Sequence, residues 1–180
     1  MPGIHNVSNA LASFAAGQLL GLSADIIAEG LGTFTGTNRR FQYKGSVAGV
    51  TIIDDYAHHP TEIAATLKAA KNYPHKKTWC VFQPHTYTRT KALLHEFAEA
   101  LSLTDHVIVA EIYAARETDT LGISSADLQK LIAEKGTPCE YFPTFDEIEN
   151  FLLENCTSGD LVITMGAGDV VNIGEHLLGQ

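Results

Sequence analysis

Basic clusters, metal-ligand spacings and long apolar runs are all missing from this sequence of 180 residues, and each absence removes a class of function. Lys and Arg number 12 against 21 Asp and Glu, a formal net charge of -9, and nowhere do the cations gather as phosphate contacts along a nucleic acid require. No nucleic acid partner is expected. The three cysteines, Cys80, Cys139 and Cys156, have no zinc spacing, and an odd count of scattered thiols fits a reducing compartment better than a disulfide framework. A cytoplasmic location is expected. No apolar run approaches the roughly 20 residues of a membrane span, and the start MPGIHN lacks the basic and apolar regions of a signal peptide, so no membrane partner is expected either. Internal repeats and low-complexity tracts are also absent.

What remains is a chain with 45% hydrophobic residues, able to bury a core as one domain or one domain with an appendage. It centres on TIIDDYAHHPTEIAATL, Thr51 to Leu67. An apolar run breaks into two carboxylates, an aromatic and two imidazoles, and Pro60 with Glu62 then opens a helical pattern. Strand, polar corner and helix in that order place side chains outside the carboxyl end of a strand, where open α/β sheets collect ligands. A solvated charged turn is the plain alternative for one such corner.

Before this corner, Val7, Ala10, Leu11, Phe14 and Leu19 recur at helical spacing, so His5 to Leu20 reads as an amphipathic helix closed by Gly21. Ser23 caps a second helix over Asp25 to Leu31, and the breaker-rich GTFTGTN (Gly32 to Asn38) marks a domain boundary. A helical pair with no sheet of its own reads as the end of a preceding domain, and its apolar stripe predicts self-association or disorder up to about residue 36. From Phe41 the period becomes that of a strand, with a hairpin turning at Ala48 and Gly49. Helices over Thr61–Lys71, Thr90–Leu101, Ala126–Glu134 and Asp146–Leu153 then alternate with strands Thr78–Phe82, His106–Ala110, Cys139–Phe142 and Leu161–Met165. This alternation predicts an α/β fold with a mostly parallel, doubly wound sheet.

A second corner, VFQPHTYTRTK (Val81 to Lys91), would bring Gln83, His85, Tyr87 and Arg89 to the same sheet edge as Asp55, Tyr56 and His58. Two loops meeting there make a better pocket than either alone. Asn6 and Asn9, three apart, share a helix face and can address a flat heterocycle, or else one of them caps the helix. Arg39 and Arg40 follow the boundary, where a guanidinium can clamp phosphate oxygens or simply face solvent. His58 and His59 are adjacent and point apart, and no metal motif accompanies them, so no metal ligand is assigned. GAGD (Gly166 to Asp169) suits either an anion at a helix start or a tight packing turn, since Val171 stands where a dinucleotide fingerprint has its third glycine.

HNVSNALA (His5 to Ala12), RRF (Arg39 to Phe41), DDYAHHP (Asp54 to Pro60), FQPHTYTRTK (Phe82 to Lys91) and MGAGD (Met165 to Asp169) occur in this order, and together they resemble the Mur ligases of bacterial peptidoglycan synthesis. The branch that joins L-alanine to UDP-N-acetylmuramate is the most similar. The resemblance implies that residues 1–38 are the end of the family's central ATPase domain and residues 39–180 its Rossmann-like C-terminal domain. A UDP-binding domain and the Gly-rich phosphate loop would lie outside the chain, as would most ligands of Mg²⁺. It implies further that Asn6 and Asn9 hold adenine, Arg40 the ATP phosphates and Asp55 the ribose, while Tyr56, His58, His85 and Arg89 line the site for L-alanine and the muramoyl carboxylate. Arg40, His58 and Arg89 are the candidate catalytic residues. Some relatives carry Arg where this chain has Thr86. The implied reaction activates a carboxylate with ATP as an acyl phosphate, which an amine then attacks, and the isolated chain is expected to be inactive. The rivals are a murein-recycling ligase that attaches a tripeptide to the same sugar nucleotide, a nucleotide-binding oxidoreductase and a noncatalytic binding module.

Overall fold

The computed structural model describes residues 4–180, the side chain of His5 excepted, so the first residues of MPGIHN, read above for targeting signals, lie outside the described residues. Two helices, α1 (Ile4–Leu19) and α2 (Ala24–Thr33), form a hairpin. Gly21 turns it in the left-handed region at φ 82°, and Ser23 caps α2 by accepting the Ile26 amide. Ile27 is buried against Gly17, where an added Cβ would stand only 2.8 Å from its Cδ1. Much of the α1 apolar stripe stays in solvent: Val7 is 53% exposed, Leu11 66% and Leu19 89%, while Ala10 and Phe14 are partly covered. None of the described helices is long and apolar enough to cross a membrane.

The sheet begins with the antiparallel hairpin of β1 (Gln42–Val47) and β2 (Val50–Asp55). Ala48 and Gly49, at φ 51° and 81°, supply the paired left-handed residues of a two-residue hairpin turn. The elements α3 (Pro60–Ala70), β3 (Thr78–Phe82), α4 (Tyr87–Ala92), α5 (Leu94–Leu101), β4 (His106–Val109), α6 (Ser125–Glu134), β5 (Cys139–Tyr141), α7 (Phe145–Asn155), β6 (Leu161–Met165) and α8 (Val171–Leu177) follow. The strand order is β1-β2-β6-β3-β4-β5, parallel throughout except at β1. This is the mostly parallel α/β sheet expected from the alternating pattern.

Alternation along each strand divides the core into two layers. Ile53, Cys80, Phe82 and Ile163 pack on one face against Ile63 and Leu67 of α3, Phe97 and Leu101 of α5, and Leu128 and Ile132 of α6. Ile52, Val81, Ile108 and Val162 pack on the other against Ile148 and Leu152 of α7 and Ile173 of α8. Helices thus cover both faces, which is the doubly wound arrangement. One expectation fails in detail: the helix placed over Thr90–Leu101 starts earlier, at Tyr87, and breaks at Leu93, whose φ and ψ of -118° and 24° leave the helical region. Thr86 caps the new start, accepting the Arg89 amide. The capping box at Thr144 and Glu147 forms as expected.

Candidate functional site

β6 lies between β2 and β3 and runs parallel to both, so three strand ends open at one edge. The chain passes from β2 over β6 to β3, continues outward to β5 and returns to fill the gap, which puts a change of winding direction at this point. Such a switch point leaves a crevice outside the carboxyl ends of the strands.

The β2 end meets α1 across a cleft of about 650 Å³. Asn6 and Asn9 line it from α1, Arg40 and Phe41 from the connecting segment, Asp55 from β2, and Thr66 from α3. Asn6 and Asn9 lie within the helix and share a face, the Asn9 Nδ2 donating to the Asn6 Oδ1 at 3.2 Å. Asp55 is 5% exposed, with its oxygens already engaged: Oδ1 accepts the Ala57 amide at 2.8 Å, and Oδ2 accepts the Phe41 amide at 2.9 Å and the Thr66 hydroxyl at 3.2 Å. Of about four lone-pair sites on a carboxylate, one is left for a ligand. Burial pushes its carboxyl above the ordinary value, against the pull of the two amides, Thr66 and Arg40.

The two arginines take different work, which adjacency in sequence concealed. Arg39 is a structural joint: Nε donates to the buried Asp54 at 2.8 Å, Nη1 to the Gly168 carbonyl at 3.0 Å and Nη2 to the Gly166 carbonyl at 2.8 Å. Its carbonyl accepts the Tyr56 amide at 2.7 Å, and its guanidinium lies 4.9 Å from the centre of the Tyr56 ring. Arg40 keeps only a 3.9 Å approach to Glu62 and a position 5.8 Å from the Tyr56 ring, with its side chain 48% exposed. Arg39 and Phe41 both hold left-handed backbone, at φ 58° and 47°. For non-glycine residues that is a strained state, and here Asp54, Asp55 and Gln42 pin it, the last by accepting the Arg39 amide. The strain turns Arg40 out between its two fixed neighbours.

Beside this cleft the two corners meet through their rings. Tyr56 and His58 are 5.4 Å apart edge to face, His58 and His85 are 6.2 Å apart, and Tyr113 stacks on His85 at 5.6 Å. The convergence expected from parallel strands is thus present for Tyr56, His58 and His85. His58 donates from Nδ1 to the Tyr56 carbonyl at 2.9 Å, which keeps Nε2 as its acceptor when the ring is neutral. His85 Nδ1 and Arg89 Nη1 are buried without a hydrogen-bond partner. Burial lowers the His85 pKa below the usual imidazole value, with the charges of Arg89 and His58 adding to the effect. Two buried polar atoms without partners are costly in isolation and mark this corner as a candidate binding position.

Gln83 does not join this group. Its Nε2 donates to Asp169 at 2.8 Å and its Oε1 accepts the Val170 amide at 3.2 Å, so it ties β3 to the turn after β6. That turn, the GAGD stretch, is a packing joint: a Cβ on Gly166 would stand 2.9 Å from the Gln83 carbonyl oxygen, and one on Gly168 2.3 Å from Gln83 Oε1. Tyr113, from the segment after β4, was missed because a lone Tyr in a polar loop carries no pattern. Among the described residues no group of three or more His, Cys, Asp or Glu is placed to hold a metal ion.

A sequence profile described as "Mur ligase, glutamate ligase domain" matches residues 39–168. The chain belongs to the Mur ligase family. It is 63% identical over 178 residues to the UDP-N-acetylmuramate--L-alanine ligase of Agathobacter rectalis and 60% identical over 178 residues to that of Lachnospira eligens, covering 99% of this chain in each case. It spans 39% of the length of these relatives. Among solved structures it is similar to the UDP-N-acetylmuramate-alanine ligase MurC of Thermotoga maritima, with a TM-score of 0.83, 29% identity, and coverage of 99% of this chain and 38% of that one. A murein peptide ligase from Psychrobacter arcticus gives a TM-score of 0.72 at 27% identity, covering 99% of this chain and 37% of that one. The mostly parallel six-stranded sheet matches the fold of these ligases.

Proposed function

We propose that these 180 residues are the carboxyl-terminal part of an ATP-dependent ligase that joins L-alanine to UDP-N-acetylmuramate, with residues 1–38 closing a central ATP-binding domain and residues 39–180 forming the C-terminal domain. One observation carries the reading: a single cleft brings Asn6, Asn9, Arg40 and Asp55 together, residues 49 positions apart in sequence at the extremes. Its size, about 650 Å³, falls in the usual range for small-molecule sites, so a nucleoside with its phosphates is a fitting occupant. The paired carboxamides of Asn6 and Asn9 offer donors and acceptors to adenine. The remaining lone pair of Asp55 accepts from a ribose hydroxyl, and Arg40 faces the phosphates.

ATP supplies the phosphoryl group that activates the muramoyl carboxylate. Arg40 neutralises negative charge in that transfer, and its exposed, weakly paired guanidinium has few bonds to give up in doing so. His85 and Arg89 bind carboxylate oxygens of the substrates through the atoms that lack partners. His58, with its proton fixed on Nδ1, accepts at Nε2 the proton that the alanine ammonium must lose before its nitrogen can attack. Tyr56 walls the amino acid from the nucleotide. Mg²⁺, which the family implies, is expected to be held mainly by the central domain, and no step above is routed through it.

The 60–63% identity to alanine ligases favours L-alanine over a tripeptide as the acceptor. Phosphate release by the whole ligase with ATP, UDP-N-acetylmuramate and either L-alanine or the tripeptide tests this. Turnover with alanine only is expected, and turnover with the tripeptide only would replace the reading by the recycling one. The isolated chain, lacking a Gly-rich phosphate loop, is expected to show no alanine-dependent ATP hydrolysis.

A further inference from the structure

The strip from Glu111 to Glu117 runs beside the β3–α4 corner and holds it at several points. Tyr113 forms a parallel bridge with His85. Its amide donates to the Pro84 carbonyl at 2.9 Å and its carbonyl accepts the Thr86 amide at 2.9 Å, while Glu117 accepts the Thr88 amide at 3.0 Å. Thr86, between His85 and Arg89, sits in left-handed backbone at φ 68°. A β-branched residue stays there only when its surroundings over-determine it, and the backbone of Tyr113 does part of that.

The ring of Tyr113 does the rest. It lies nearly parallel to the His85 imidazole, 5.6 Å between centroids with 25° between planes. Behind it is Gly168, where a Cβ would stand 2.9 Å from the Tyr113 Cγ. The ring is therefore confined between a glycine with no room for a side chain and the imidazole whose Nδ1 lacks a partner. We propose that Tyr113 is a positioning residue for the amino-acid half of the site, fixing the His85 imidazole by stacking so that its bare Nδ1, beside Arg89, is held ready for the carboxylate of the amino-acid substrate. This rests on the functional reading above and adds to it a residue that touches no substrate itself.

Two readouts separate positioning from mere packing. In the 180-residue chain, NMR titration of the His85 ring follows its surroundings: the charged and titratable groups facing it are Arg89, His58 and Glu117, and burial is the main cause of its lowered pKa. Tyr113→Ala admits water to one face of the ring, so its titration moves up toward the ordinary imidazole value, while Tyr113→Phe keeps the wild-type titration. In the whole ligase, Tyr113→Ala raises KM for L-alanine about tenfold or more, because small misplacement of a binding group costs up to about a hundredfold, and leaves KM for ATP within about twofold. Tyr113→Phe restores the wild-type KM for alanine. An unchanged His85 titration in Tyr113→Ala, or equal rises in both KM values, overturns the inference. If the unsubstituted ligase shows no turnover with alanine, the functional reading falls and the proposed substrate with it. Normal turnover with an unchanged alanine KM in Tyr113→Ala overturns this inference alone.

Discussion

The two corners that meet at the crevice are built in opposite ways. At the β2–α3 corner the polar groups are bound to the protein itself: Asp54 holds Arg39 and the Thr164 hydroxyl, and Asp55 holds two amides and a hydroxyl. At the β3–α4 corner His85 Nδ1 and Arg89 Nη1 are buried with nothing to bind. The first corner is a finished piece of structure that offers one weakly paired cation, Arg40, and one spare lone pair on Asp55. The second leaves two buried polar atoms unsatisfied by the protein. Buried polar atoms without partners cost about 1–3 kcal/mol each, so a fold retains them where binding recovers the loss.

The largest test of that contrast is Arg39→Ala. It leaves the Asp54 carboxylate, 0% exposed, without its cation, and breaking such a pair costs about 3 kcal/mol, at the low end because water reaches part of the guanidinium. Urea denaturation should show this loss, while Arg40→Ala changes stability by less than about 0.5 kcal/mol, as surface substitutions do. Equal losses for the two would erase the distinction between joint and ligand group. Next comes Asp55→Asn, which turns a donor toward backbone amides that need an acceptor. A lost charged hydrogen bond is worth about 1.5–3 kcal/mol, so KM for ATP should rise about tenfold to a hundredfold with a parallel loss of stability. Smaller in stability is Arg89→Ala. Its orphaned nitrogen makes no bond to lose and its removal relieves a desolvation cost, so the urea midpoint should hold or rise while KM for alanine rises.

The smallest effect separates the corners by pH. His85 has its pKa lowered in the folded state, so its contribution to stability is present above the ordinary value of about 6.5 and is lost as pH falls through the folded value. Asp55 has its pKa raised, so its contribution is present below the ordinary value of 3.8 and is lost as pH rises through the folded one. Urea midpoints of the wild type against His85→Gln should diverge on acidification from pH 7.5 to about 5.5, the wild type losing more. Parallel lines would remove burial as the cause at His85.

Strands and helices were legible because hydrophobic period and capping residues are local. β3 and β6 fall where the pattern puts them, and so do the hairpin at Ala48–Gly49 and the box at Thr144 and Glu147. The meeting of Tyr56, His58 and His85 was legible too, since parallel strands with polar ends leave one edge for them. Three things were not. The division between Arg39 and Arg40 depends on two left-handed residues with side chains that do not announce them. The duty of Gln83 and the GAGD turn depends on how closely β3 and β6 approach, a tertiary fact. Tyr113 reaches the site from a loop with no period at all.

Arg40 is assigned to the nucleotide and Arg89 to the amino acid. Steady-state kinetics of the whole ligase decides it, with ATP and L-alanine each varied at saturating levels of the other substrates. Arg40→Ala should raise KM for ATP about tenfold or more and leave that for alanine within about twofold, and Arg89→Ala should do the reverse. If both variants raise both constants alike, or if the pattern is exchanged, the assignment of the two arginines is contradicted.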